Sequence, residues 1–166
     1  MLKNIVVLFF SSLVFALLWF LGLEKVYAQL LVFFTNVILG ILSLNTSMVL
    51  MVQESELVII VTTILNGSEG SFPQNLQSLL LPTVILLSWF PVLFIHLKKR
   101  TAIHQSLKNA GLFLLIQLFF MLILASFYHF ALSRYLFYLL IEAFYIFAIA
   151  VIIKDSLKYP FIWRKS

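Results

Sequence analysis

The sequence contains no cysteine among its 166 residues. This absence excludes disulfide bonds, thiolate metal sites and a cysteine nucleophile, and it leaves the redox compartment undetermined. Charged residues are also scarce, at 10% of the chain, whereas hydrophobic residues make up 63%. A soluble domain has about a quarter charged residues, and so little polar surface cannot cover a compact fold in water. The sequence therefore predicts a single integral membrane domain over 1–166.

The residues that usually carry catalysis are sparse as well. Asp155 is the only aspartate, so no Ser-His-Asp set exists, and five glycines form no phosphate-binding loop. Of the three histidines, His96 and His104 belong to a basic segment, while His129 is predicted at the opposite membrane surface. Metal ligands cannot converge across a membrane. We therefore predict no catalytic residue, metal or cofactor, and no enzyme activity; a membrane enzyme acting on lipid or peptide is the alternative.

The net charge of +5 is distributed in a way that favours membrane topology over nucleic-acid binding. Most basic residues lie in short clusters beside apolar segments, which marks the cytoplasmic side. This pattern predicts a multi-pass protein of the inner membrane with a cytoplasmic C-terminus. Anionic lipid headgroups or a membrane-protein partner are expected at Lys98, Lys99, Arg100, Lys108, Arg164 and Lys165.

The fold class predicted is an all-α polytopic membrane protein with four transmembrane helices. The apolar segment 30–44 carries one narrow polar stripe and is interpreted as an interfacial helix at the outer surface. If it spans instead, the chain has five transmembrane helices and an external N-terminus. The loop 98–108 is predicted to be cytoplasmic, a tight turn is predicted at 131–134, and Lys154 is predicted to end the last helix. The predicted spans cover about 4–22, 76–97, 109–129 and 135–153.

The region 24–75 is predicted to lie outside the cytoplasm. Its segments 47–53 and 57–64 are rich in Val, Ile and Thr and too short to span as helices. An acidic turn containing Glu54 and Glu56 separates them, which predicts a β-hairpin. The segment 66–71 is predicted to be a loop from its Gly, Ser and Asn content.

Glu142 falls in the middle of the last predicted span, where an ionisable side chain should face the interior of the bundle. Two interpretations stay open. The carboxyl group either handles a proton, a ligand or a partner helix, or it is a protonated staple between helices. The predicted intramembrane polar cluster comprises Glu142, Tyr135, Tyr138 and Tyr145 on one helix, with Gln117 and Tyr128 on the preceding helix.

The order of elements resembles the exosortase and archaeosortase family of membrane transpeptidases. The strand pair is followed by the helix start Asn75-Leu-Gln-Ser, the basic loop Leu97-Lys-Lys-Arg100, a further helix from Gly111, and His129. In that family the helix start carries a nucleophilic cysteine, and an arginine and a histidine follow. This chain has no cysteine and no arginine near Gln117. The resemblance therefore implies a non-catalytic relative or a small membrane protein associated with exosortases.

Two functional hypotheses follow. The first is a non-catalytic inner-membrane subunit or accessory protein that binds partner helices in the membrane. The alternative is a membrane protein that handles a small molecule, a lipid or a proton by means of Glu142.

Overall fold

The computed structural model describes residues 2–53, 56–65, 67–127, 129–141 and 143–163, and in them the chain is mostly helical with one small sheet. A π-helical turn, Trp19–Leu23, joins the first two helices, and a short 3₁₀ turn, Pro160–Ile162, follows the last. The helices are α1 (Leu2–Leu18), α2 (Glu24–Ile41), α3 (Gln77–Leu80), α4 (Pro82–His96), α5 (Lys99–Ala125), α6 (Ala131–Leu140) and α7 (Ala143–Lys158). The strands are β1 (Thr46–Gln53), β2 (Glu56–Leu65) and β3 (Ser68–Asn75).

Three helical segments of the described chain are long and apolar enough to cross a membrane. They are Asn4–Ile41, Gln77–His96 and Lys99–Ala125. Helices α6 and α7 pass the same test together and would add a fourth span, although their axes differ by 57°. The described chain therefore has three candidate spans, or four if α6 and α7 form one span, and it does not reach the five of the alternative.

The five-span alternative fails at Gly22, where the first two apolar segments join. Gly22 has φ +118° within the π-helical turn, a conformation that side chains with a Cβ rarely adopt. Gly22 therefore leaves the helical conformation and makes a kink, and α2 follows α1 through this kink with no loop between them. The expected separate helix over 30–44 is instead the second half of α2, which packs against α5 and β1.

The predicted hairpin is confirmed as β1 and β2, and the structure adds a third strand to it. The sheet is antiparallel in the order β1-β2-β3, so residues 68–71 of the expected loop over 66–71 belong to a strand, and residue 66 lies outside the described residues. Gly67, at φ +82°, makes the tight turn that brings β3 back along β2. Pro73 lies on the edge strand, where its missing N–H is tolerated. Backbone pairing with β2 thus outweighs the loop-like composition of this segment.

Three helix boundaries also differ from the sequence prediction. Helix α5 begins at Lys99, so most of the expected loop over 98–108 is helical, and only Leu97 and Lys98 separate it from the end of α4. Helix α6 begins at Ala131, which replaces the expected turn over 131–134. Helix α7 continues past Lys154 to Lys158 and includes Asp155. Charged residues at these positions mark helix ends poorly, because Lys and Arg are good helix formers.

Helix α5 forms the centre of the apolar core. The ring of Phe120 on α5 stacks on Phe137 of α6 at 5.2 Å and meets Phe144 of α7 edge-to-face at 5.0 Å. Helix α1 packs mainly along α4, and both α2 and α4 contact α5. The core therefore lies around α5, while much of α1 presents apolar side chains to the outside.

The two ends of the helical bundle differ in character. At one end, the side chain of Asn4 on α1 contacts both the Nε2 atom of His96 at the end of α4 and the carbonyl oxygen of Ile162. The sheet, which follows α2 and precedes α3 in the sequence, lies at the other end. There Thr46 and Thr63 contact His129. The beginning of α1, the α4–α5 junction and the end of the described chain therefore share one end.

This arrangement gives a direct test of topology, since the chain has no cysteine of its own. Cysteines placed at Ser68 in β3 and at Thr101 in α5 are both exposed but lie at opposite ends. In intact cells, a membrane-impermeant maleimide should label Ser68→Cys and not Thr101→Cys, and permeabilisation should make both reactive. Labelling of Thr101→Cys alone in intact cells would invert the predicted topology.

Candidate functional site

The most extensively bonded polar group of the described chain is the carboxyl group of Asp155 on α7. It is fully buried and accepts hydrogen bonds from side chains of two other helices. Trp89 Nε1 on α4 donates to Oδ2 at 3.0 Å, and Asn109 Nδ2 on α5 donates to the same oxygen at 2.5 Å. Gln105 Nε2, one turn before Asn109, donates to Oδ1 at 2.7 Å. The Asp155 network thus joins α4, α5 and α7 through one side chain.

Two lysines complete the network from its outer side. Lys154 Nζ donates to Asn109 Oδ1 at 2.8 Å and lies 3.7 Å from Asp155 Oδ1. Lys158 Nζ donates to Gln105 Oε1 at 3.1 Å. Each amide therefore turns its oxygen toward a lysine and its nitrogen toward the carboxyl group. The positive charges lie at the exposed edge, so the buried negative charge is balanced without burying a cation.

The chain after α7 folds over this network. Trp163 stacks on Trp89 with ring centroids 6.1 Å apart, and the side chain of Ile162 is fully buried beside it. The carbonyl oxygen of Ile162 accepts the hydrogen bond from Asn4 described above. These contacts exclude solvent from the Trp89 indole. The low local dielectric constant strengthens the hydrogen bond from its N–H to Asp155.

The chemistry of the Asp155 network is that of a clamp. The carboxyl group accepts three hydrogen bonds and is inaccessible to a substrate in this conformation. The sequence prediction ends the last helix at Lys154, one residue before Asp155, and therefore misses this site. A signal existed: Gln105 and Asn109 are four residues apart on α5, as are Lys154 and Lys158 on α7, so each pair shares a helix face. Matching these two polar faces would have indicated the contact.

A second buried polar contact lies around Gln117 on α5, which is fully buried. Its Oε1 accepts a hydrogen bond from the hydroxyl of Tyr27 on α2 at 2.5 Å. Its Nε2 donates to the carbonyl oxygen of Leu79 at 2.7 Å and to Thr83 Oγ1 at 3.2 Å. Gln117 therefore connects α2, α3 and α4, and none of these contacts involves Tyr135, Tyr138 or Tyr145, the described tyrosines expected beside it.

The expected polar cluster around Glu142 is only partly visible, because Glu142 and Tyr128 lie outside the described residues. Tyr135 and Tyr138 on α6 are 77% and 65% exposed, and Tyr145 on α7 is at the surface as well. The structure thus does not bring these tyrosines to Gln117. The sequence prediction treats residues 135–153 as one straight helix. In the structure the axes of α6 and α7 differ by 57°, so the tyrosines of the two helices do not share one face.

The basic residues expected to contact lipid headgroups or a partner are exposed where the structure describes them. Lys98, Lys99 and Arg100 surround the start of α5, and Lys108 follows two turns later. Arg164 and Lys165 lie outside the described residues.

His129 is the only histidine at the end of the bundle that carries the sheet. Its Nε2 lies 3.0 Å from Thr63 Oγ1 and 3.3 Å from Thr46 Oγ1, and the two hydroxyls are 2.9 Å apart. The polar side chain of Asn36 fixes the same strand from α2, because it accepts from Met48 N and donates to Met48 O. Among the described residues, no three metal-ligating side chains come together.

No family model, no curated protein and no solved structure matches this chain.

The Asp155 network predicts that a substitution of nearly equal volume at Asp155 lowers the stability of the protein. Asp155→Asn keeps the volume but replaces one acceptor oxygen with an NH₂ group that faces other donors. It should destabilise the protein by about 1–3 kcal/mol, measured by thermal unfolding in detergent. Ser156→Ala is the matched control, because its hydroxyl bonds only to Ile152 O within α7. Equal stability of the two variants would show that the network does not hold the helices together.

Proposed function

We propose that this chain is a non-catalytic subunit or accessory protein of an inner membrane, which binds helices of a partner protein within the bilayer. The proposal keeps the C-terminus in the cytoplasm and the sheet on the opposite side. It rests mainly on one contrast: three polar side chains of the interior, Asp155, Gln117 and Asn36, are hydrogen-bonded within the chain, while Tyr135 and Tyr138 on α6 face outward.

The interior supports a scaffolding role. Asp155, Gln117 and Asn36 each join different elements and have their hydrogen-bonding groups engaged within the chain. A residue that acts on a substrate must present an accessible group with a reacting atom nearby. These three side chains are instead used to position helices and the sheet.

The outer face of α6 supports a helix-binding role. Tyr135 and Tyr138 are exposed, and the apolar side chains of Leu132 and Leu139 lie exposed on the same short helix. An outward hydroxyl in a hydrocarbon environment lacks a hydrogen-bond partner, and polar groups of a second helix can supply one. The ring and hydroxyl together suit a partner helix that is mainly apolar and carries a few polar residues.

The resemblance to the exosortase and archaeosortase family suggests where such a partner should be sought. If the chain is a non-catalytic relative, its partner is a membrane transpeptidase or a substrate of one. His129, which corresponds to the family's histidine by layout, bonds to the strand threonines and supports a structural role here.

The second candidate function is the handling of a small molecule, a lipid or a proton. One observation favours the lipid form of this candidate. A cavity of about 470 Å³ lies between the π-helical turn, α2, α4 and α5, and its lining is almost wholly apolar.

Copurification tests the leading proposal. The chain extracted in a mild detergent should carry a membrane protein in a fixed ratio, measured by quantitative mass spectrometry. The double variant Tyr135→Phe and Tyr138→Phe removes only the two hydroxyls and should reduce the amount of partner by about eightfold, as expected for two hydrogen bonds worth on average about 0.6 kcal/mol each in membranes.

Tyr159→Phe is the control, because Tyr159 follows α7 at the other end of the bundle and should leave the amount of partner unchanged. A wild-type chain that purifies alone from every mild detergent would contradict the proposal. Equal loss of the partner in both variants would place the binding surface elsewhere.

A further inference from the structure

The cavity between the π-helical turn, α2, α4 and α5 has the size and lining of a ligand pocket. Its volume of about 470 Å³ falls within the range of about 300–1,000 Å³ that small-molecule pockets occupy. Trp19, Leu86 and Phe113 form its buried side. Tyr27 and Thr83 contribute hydroxyl groups at the level of Gln117. A ligand that fills this space must therefore be mainly hydrocarbon.

The cavity opens sideways on the bundle. Leu107 is 68% exposed, and Leu23 and Leu30 of the opposite wall are also exposed. Gly111 lies between these walls, and a Cβ added there would meet no atom within 4 Å. The opening therefore faces the region that lipid occupies if the bundle spans a membrane, and an alkyl chain can enter it from the side.

A positive charge lies on the same face of α5 as the opening, nearer the beginning of that helix. Arg100 is seven residues before Leu107 and eleven before Gly111, so each lies within about 20° of it around the helix. The guanidinium is exposed at the first turn of α5, about 10 Å along the axis from Leu107. The first turn also presents unpaired backbone N–H groups, since Lys98 provides no side-chain cap. Both features attract a phosphate group.

We propose that this cavity and Arg100 together form a binding site for one anionic phospholipid. One acyl chain occupies the cavity beside Gly111, and the phosphate group binds at Arg100 and the start of α5. The charge at one end of an apolar cavity specifies an anionic amphiphile rather than a neutral one. The site rests on insertion of the bundle in a membrane but not on any protein partner, so lipid binding and partner copurification can fail independently.

The first test fills the cavity. Gly111→Leu places a side chain in the open space, whereas Gly40→Leu makes the same change on the exposed surface of α2, where a Cβ also meets no atom within 4 Å. Native mass spectrometry of the purified chain titrated with phosphatidylglycerol should show one bound lipid for the wild type and for Gly40→Leu. Gly111→Leu should bind on the order of tenfold more weakly. If Gly111→Leu does not fold, Ala110→Leu fills the same cavity from the neighbouring position.

The second test removes the charge. Arg100→Gln should weaken phosphatidylglycerol binding about fivefold and leave phosphatidylcholine with the same acyl chains unaffected. Arg134→Gln is the control, because Arg134 is exposed on α6, at the end of the bundle that carries the sheet and far from the start of α5. The proposal is overturned if the wild type binds both lipids equally, if filling the cavity leaves binding unchanged, or if both charge variants have the same effect.

Discussion

The carboxyl group of Asp155 is the polar group that most strongly constrains how the helices pack. A buried carboxyl group without partners is costly, so α7 is stable in this position only if α4 and α5 present their donors to it. Trp89, Gln105 and Asn109 meet that requirement from three fixed positions. Apolar packing between Leu- and Phe-rich helices permits many rotations of one helix about another, whereas this carboxyl group permits very few. The hydrogen bonds of Asp155 therefore fix the rotation of α7 about its axis and its position along α4 and α5.

The same constraint recurs at two further levels of the bundle. Gln117 fixes α2 and the α3–α4 segment against α5 near the middle, and His129 with Thr63 fixes the sheet at the far end. Asn36 then ties the first strand to α2 through the backbone of Met48. One polar contact at each level suffices, because every misaligned arrangement leaves a buried donor or acceptor without a partner. The polar residues are few, and each specifies a contact between elements that are distant in sequence.

The sequence was informative about local structure and uninformative about these contacts. Apolar runs predicted the helices, and β-branched residues predicted the hairpin, because both signals are local. The third strand was missed, since its residues adopt an extended conformation only when β2 is available to pair with them. Asp155 lies beyond the predicted helix end at Lys154, because a charged residue is a weak signal for where a helix ends. The tyrosine cluster failed for a related reason, since the 57° bend between α6 and α7 is absent from a straight-helix projection.

The distribution of polar groups also separates the two surfaces for which functions are proposed. On α6, hydroxyl groups face outward beside apolar side chains, and a second helix can satisfy them through directed hydrogen bonds. Beside α5, the cavity contains almost no polar surface, and Arg100 lies outside it, about 10 Å along the helix from Leu107. A helix cannot fit a cavity of this size, because an α-helix with side chains is about 10 Å wide. An acyl chain fits but offers nothing to the tyrosine hydroxyls. The two surfaces therefore select different occupants, and a lipid bound at α5 leaves α6 free to bind protein.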